Sequence, residues 1–273
     1  MTIESTISPE LRTVTRKLKL SRILDILPER ILQARQQKMP YQDLLLLVLS
    51  DEVSRRESVA AQTRADKAQL DPDSHLERWD HTAKVTYDQE LLNELTTLRF
   101  LESGHNVTIV GPVGTGKTFV AHAIGHIASR RGYSVMAVRG DHMLKTLKHA
   151  RLTNTVEAEL RRLIAVDLLI VDDLFLDAMD VQESRDAYDI LTERDRAGSV
   201  IVTSNRDPEE WLATFADPLR AQGALDRFRS NSFDLVIEGE SYRPRLKPTI
   251  PRRGEPQAPA RSSRRNRRRT RRR

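Results

Sequence analysis

The chain has no cysteine, which excludes disulfides and thiolate-ligated zinc and suits the reducing cytoplasm expected for the protein. No apolar stretch approaches the ~18 uninterrupted residues of a membrane span, and the leucine-rich run at 44–49 is far too short. The opening MTIESTISPELR lacks the basic and apolar regions of a secretory leader, so neither export nor a membrane partner is expected. Seven histidines are scattered without metal-site spacing, and no internal repeat is visible. What remains is a 273-residue chain, 38% hydrophobic, long enough for one large domain and a smaller one.

Charge is unevenly distributed. Residues 252–273 hold eleven arginines and one glutamate, so this segment carries +10 and the rest of the chain −4 of the net +6. A Pro/Gly/Ser/Arg segment with almost no apolar side chains is expected to be disordered when free. Its arginines suit polyphosphate contact through counterion release, although a merely solubilising extension has the same composition. A second basic run lies between residues 11 and 38, where Arg12, Arg16, Lys17, Lys19, Arg22, Arg30, Arg35 and Lys38 face only Asp25 and Glu29. That run fits either a solvated helix face or nucleic-acid docking.

The chain divides into a helical domain at 1–69, a polar connector at 70–78, an α/β domain at 79–250 and the arginine-rich tail at 251–273. In the first part Leu11, Val14 and Leu18 share a face, Pro28 marks a helix start, and 41–68 reads as one long helix. In the third, strands are expected at 107–110, 133–138, 168–171, 199–203 and 235–237. Helical segments separate most of them, which calls for a parallel sheet covered on both faces.

Residues 111–118 read GPVGTGKT, a full G-x-x-x-x-G-K-[ST] match between a strand and a helix. Gly111, Pro112, Val113, Gly114, Thr115 and Gly116 form a phosphate-binding loop whose N–H groups converge on an anion at the helix N-terminus. Lys117 reaches the β- and γ-phosphates of ATP, and the Thr118 hydroxyl ligates Mg2+. The strand at 168–171 ends in Asp172 and Asp173. A carboxylate at that edge faces the ligand crevice, so Asp172 holds magnesium and Asp173 orients or deprotonates the attacking water, although an acid after a strand also serves as a helix cap. The next strand runs into Ser204, Asn205 and Arg206, where the Asn205 amide is placed to sense the γ-phosphate unless it serves only a turn.

With these motifs the chain resembles the IstB-like ATP-binding proteins of insertion sequences, relatives of the DnaC helicase loaders and, more distantly, of DnaA. The likeness runs from about Leu18 to Arg243 through YQDLLLLVLSDEVSRRE, RFLESGHNVTIVGPVGTGKT, LLIVDDL, IVTSNRDPEEW, FADP, ALDRF and GESYR. It implies an AAA+ P-loop ATPase core preceded by a small all-α domain, forming a ring or spiral homo-oligomer on duplex DNA. The implied role is help for a cognate transposase in selecting and preparing target DNA. By position it implies Asn205 as first sensor, Arg227 as a finger acting across a subunit boundary and Arg243 as second sensor. The chain departs from the pattern with Asp173 where related enzymes carry Glu, Phe119 where the family has His, and Trp79-Asp80-His81 for the usual aromatic pair. A replicative helicase loader shares the same ATPase motifs, and a nucleotide-binding architectural protein with little turnover is a third reading.

Overall fold

The computed structural model describes residues 7–195 and 197–247; the arginine-rich tail lies outside the described residues. Helix α1 (Pro9–Lys17) starts on Ser8, whose side chain accepts the Leu11 N–H, with Pro9 at the position where a missing N–H costs nothing. Helix α2 (Ile23–Gln36) contains Pro28 rather than beginning at it. Proline forfeits one hydrogen bond there, but α2 keeps Ile23 and Ala34 buried and is tied to the next helix by Arg30–Asp51 at 2.7 Å.

Helix α3 (Tyr41–Lys67) changes character along its length. Leu45, Leu46, Leu49 and Val53 in its first half are exposed, as are Leu11, Val14 and Leu18 of the α1 segment. Ala61 and Ala65 in its second half are buried, and Ala65, Ala68 and Leu70 belong to the same apolar cluster as the central strands. The sheet's core thus extends back into the helical front. Small residues allow this close approach, and the Arg64 guanidinium reaches over to the Ser129 carbonyl at 2.7 Å.

Beyond the connector come β1 (Val85–Thr86), α4 (Gln89–Thr97) and α5 (Arg99–Glu102), and then β2 (Asn106–Val110), α6 (Lys117–Arg130) and β3 (Val135–Arg139). Next follow α7 (Gly140–Leu152), α8 (Val156–Ile164), β4 (Leu168–Asp172), α9 (Val181–Arg194) and β5 (Ser199–Ser204). The chain closes with α10 (Pro218–Ser230), β6 (Ser232–Val236) and β7 (Glu238–Gly239). Five strands form a parallel sheet in the order β3-β4-β5-β2-β6, with helices on both faces, as the alternating pattern predicts. One edge is shielded: the Ala137 N–H of β3 donates to the Ala68 carbonyl at 2.8 Å. Among the described residues no helix is long and apolar enough to cross a membrane.

The order of strands decides what can meet. Strand β5 lies between β2 and β4, in parallel register with both, so the ends of the phosphate-loop strand and the acidic strand converge on the end of β5. A separate antiparallel pair, β1 with β7, has no counterpart in the sequence pattern, because two-residue strands carry no readable periodicity.

Arg194 at the end of α9 is 1% exposed and donates to the carbonyls of Leu163, Ile164, Val166, Asp167 and Ser199. Burial pushes its guanidinium down to about 10, against the opposing charge of Asp167. One side chain thus satisfies the end of α8 and the segments entering β4 and β5. Arg194→Leu, which removes the guanidinium donors to these buried carbonyls, should reduce unfolding free energy by about 2–4 kcal/mol in urea titrations. An unchanged midpoint would contradict this role.

Candidate nucleotide site

The loop between β2 and α6 is shaped by backbone conformations that side chains rarely adopt. Gly111, Gly114 and Gly116 have φ of 147°, 87° and 104°. At Gly111 a Cβ would lie 2.0 Å from the Ile237 carbonyl oxygen, and at Gly114 it would lie 2.1 Å from Ser241 Oγ. The C-terminal strand and its extension therefore grip the loop: Ile237 N–H donates to Val110 O, and Tyr242 N–H to Gly114 O, both at 2.8 Å. Within the loop the Thr115 hydroxyl donates to Pro112 O at 3.0 Å, while Pro112 and Val113 are exposed.

Lys117 is buried at the first position of α6, with Nζ donating to Gly111 O at 2.7 Å and Pro112 O at 2.8 Å. Burial lowers its ammonium below the ordinary lysine range, opposed by Asp173 and Asp172 and reinforced by Arg243. Thr118 donates to Asp172 Oδ1 at 2.7 Å, joining the start of α6 to the end of β4 across the intervening strand. A third group joins them: Thr203 Oγ1, on β5, donates to the same Oδ1 at 2.6 Å and accepts the Asp173 N–H at 3.0 Å.

Asp173 has φ of 53°, and two residues later Phe175 has φ of 63°, a left-handed conformation that a bulky residue adopts only under external constraint. The constraint is visible. Phe175 stacks on Trp211 at 4.6 Å, and Trp211 is fully buried. The Asp173 carboxyl is pushed above the usual carboxylate range by burial and by Asp172, against Lys117, Arg139 and Arg243.

On the outer side of the loop, Trp79 touches Tyr87 edge-on at 5.7 Å and lies 5.5 Å from Phe119. A Cβ at Gly116 would meet the Trp79 ring at 2.8 Å, so this aromatic wall stands directly against the loop. Behind it, the Asp71 N–H donates to His122 Nδ1 at 2.9 Å, pinning the connector to α6.

The structure thus brings together Lys117, Thr118, Asp172 and Asp173, with the charge of Arg243 felt at both Lys117 and Asp173. Asn205 is exposed just beyond the end of β5, and Arg227 is exposed on α10 with Nε bonded to its own helix at Gly223 O, 3.0 Å away; neither side chain is hydrogen-bonded to these four groups. Thr203 carries no site role in the sequence motifs, which count it only as the end of a strand. Its available signal was a threonine directly after the apolar run Val200, Ile201 and Val202, one position past the Val202 that pairs with Val171.

A sequence profile described as IstB-like ATP-binding protein matches residues 13–249. The chain belongs to this IstB-like ATP-binding family. Similar relatives include a protein of Mycobacterium tuberculosis named as an ATP-binding protein in an insertion sequence, 34% identical over 88% of this chain and 96% of its own length. Another is the protein of Pseudomonas aeruginosa named as the ATP-binding protein of insertion sequence IS21, 31% identical over 86% of this chain and 88% of its own. Among solved structures, that of the DnaC helicase loader is similar with a TM-score of 0.51 and 19% identity, covering 61% of this chain and 97% of that one. For the IstB-like chain, that last likeness concerns the AAA+ P-loop fold alone.

Proposed function

We propose that this chain is a Mg2+-dependent ATPase that assembles as a homo-oligomer on duplex DNA and helps a cognate transposase select and prepare target sites. The observation that carries the hydrolytic part is the junction at Asp172, where the Thr118 and Thr203 hydroxyls meet one carboxylate oxygen with Asp173 alongside. The insertion-sequence relatives carry the biological part.

The donor set fits magnesium: a threonine hydroxyl and an aspartate carboxylate are hard oxygen ligands, already within 2.7 Å of each other. When bound, the ion would neutralise charge developing on the phosphates. Lys117 exchanges its loop carbonyls for the β- and γ-phosphate oxygens. Asp173, with its raised proton affinity, accepts a proton from the attacking water, and the Asn205 amide orients that water. Arg243 approaches from the same chain. Arg227, exposed on α10, is presented to a neighbouring subunit, so hydrolysis depends on assembly.

Steady-state ATPase measurements with and without duplex DNA test this reading. Wild-type turnover should rise on DNA and vanish in Lys117→Ala. Removing residues 252–273 should weaken DNA binding and flatten its salt dependence by about 0.9 in the log–log slope for each phosphate the arginines no longer neutralise. An enzyme that turns over ATP no faster with DNA contradicts the proposal, and unchanged binding without the tail removes the tail from it.

A further inference from the structure

We propose that Thr203 is the positioning residue of the acidic pair, a single hydroxyl that sets both the carboxylate of Asp172 and the backbone of Asp173. The proposal rests on the hydrolytic reading above. Thr203 is 0% exposed on β5, the strand lying between the phosphate-loop strand and the acidic strand. Its hydroxyl has one proton to give and lone pairs to accept with, and it uses both capacities across the same strand end. The proton goes to Asp172 Oδ1 at 2.6 Å, and a lone pair takes the Asp173 N–H at 3.0 Å.

The Asp172 carboxylate is thereby held by β5 independently of Thr118, so the Thr118 hydroxyl can turn toward a ligand without releasing the acid. The left-handed turn at Asp173, which costs backbone energy, is anchored at its first amide, and this fixes where the second carboxyl stands. Valine in place of Thr203 keeps the shape and removes both bonds, whereas serine keeps the hydroxyl.

Two readouts on the full chain test this. In nucleotide-free protein, hydrogen exchange at the Asp173 amide should be protected in the wild type, quicken at least about tenfold in Thr203→Val and return in Thr203→Ser. In DNA-stimulated ATPase assays, Thr203→Val should lower kcat at least about tenfold with KM for ATP within about threefold, and Thr203→Ser should recover it. Wild-type kcat in Thr203→Val, equal impairment in Thr203→Ser, or an unprotected Asp173 amide in the wild type would each overturn the proposal. If the wild type fails to hydrolyse ATP on DNA, the hydrolytic reading fails, while the exchange result still decides whether Thr203 holds Asp173.

Discussion

Asp173→Asn should lower kcat by about 10³ and at the same time raise the melting temperature. The loss follows from removing the carboxylate proposed as the base beside the phosphate loop. The gain follows from two observations. Asp173 has φ of 53°, a conformation that asparagine tolerates well. Its carboxyl is also shifted upward by burial and by Asp172, so these influences outweigh the attraction of Lys117, Arg139 and Arg243. A carboxyl that holds its proton more tightly in the folded state than in the unfolded chain makes ionisation unfavourable to folding. The penalty is absent at acidic pH, grows as pH rises through the ordinary aspartate range and is complete above the raised value. The variant should therefore out-melt the wild type at pH 7–8, by about 2–4 °C for each kcal/mol gained, and the difference should close toward pH 4. Differential scanning calorimetry at the two pH values, with a parallel ATPase assay, checks both halves. An Asp173→Asn protein that melts lower than the wild type at neutral pH would contradict the electrostatic account.

Arg227→Ala should lose a factor of about 10³ or more in kcat while binding ATP and melting as the wild type does. Arg227 is exposed and bonds only along its own helix, to Gly223 O, so truncation breaks no tertiary hydrogen bond or ion pair among the described residues. Its effect on stability should stay within about 0.5 kcal/mol. A large catalytic loss with ATP binding and melting intact would place the guanidinium in the hydrolytic step itself, as a finger acting across a subunit boundary requires. Nucleotide titration, thermal melting and turnover on one preparation separate these cases, and wild-type turnover would refute the assignment.

The parts of the site that sequence revealed are those whose chemistry is local. The glycines at 111, 114 and 116 are required by backbone conformation and the close approach of Ile237 and Ser241, so their spacing is readable without knowing the fold. Asp172 and Asp173 were readable because they end an apolar strand. Thr203 was not, because its role depends on β5 inserting between β2 and β4, and pairing between strands far apart in the chain leaves no periodicity. The fifth strand, expected at 235–237, is Ser232–Val236; its start is masked by Asp234, whose carboxylate accepts from the Thr108 hydroxyl of the neighbouring strand rather than marking a turn. In the helical front, periodicity gave the shared face of Leu11, Val14 and Leu18, but periodicity identifies an apolar face without saying what covers it, and here the face is exposed.

The central claim is that a working site takes Asp173 from one subunit and Arg227 from the next. Mixing the two inactive variants, Asp173→Asn and Arg227→Ala, on duplex DNA tests it most directly. In a randomly mixed assembly about a quarter of the interfaces pair an intact Asp173 with an intact Arg227, so an equimolar mixture should recover about that share of wild-type turnover. A mixture that hydrolyses ATP no faster than the two variants assayed separately would contradict the claim.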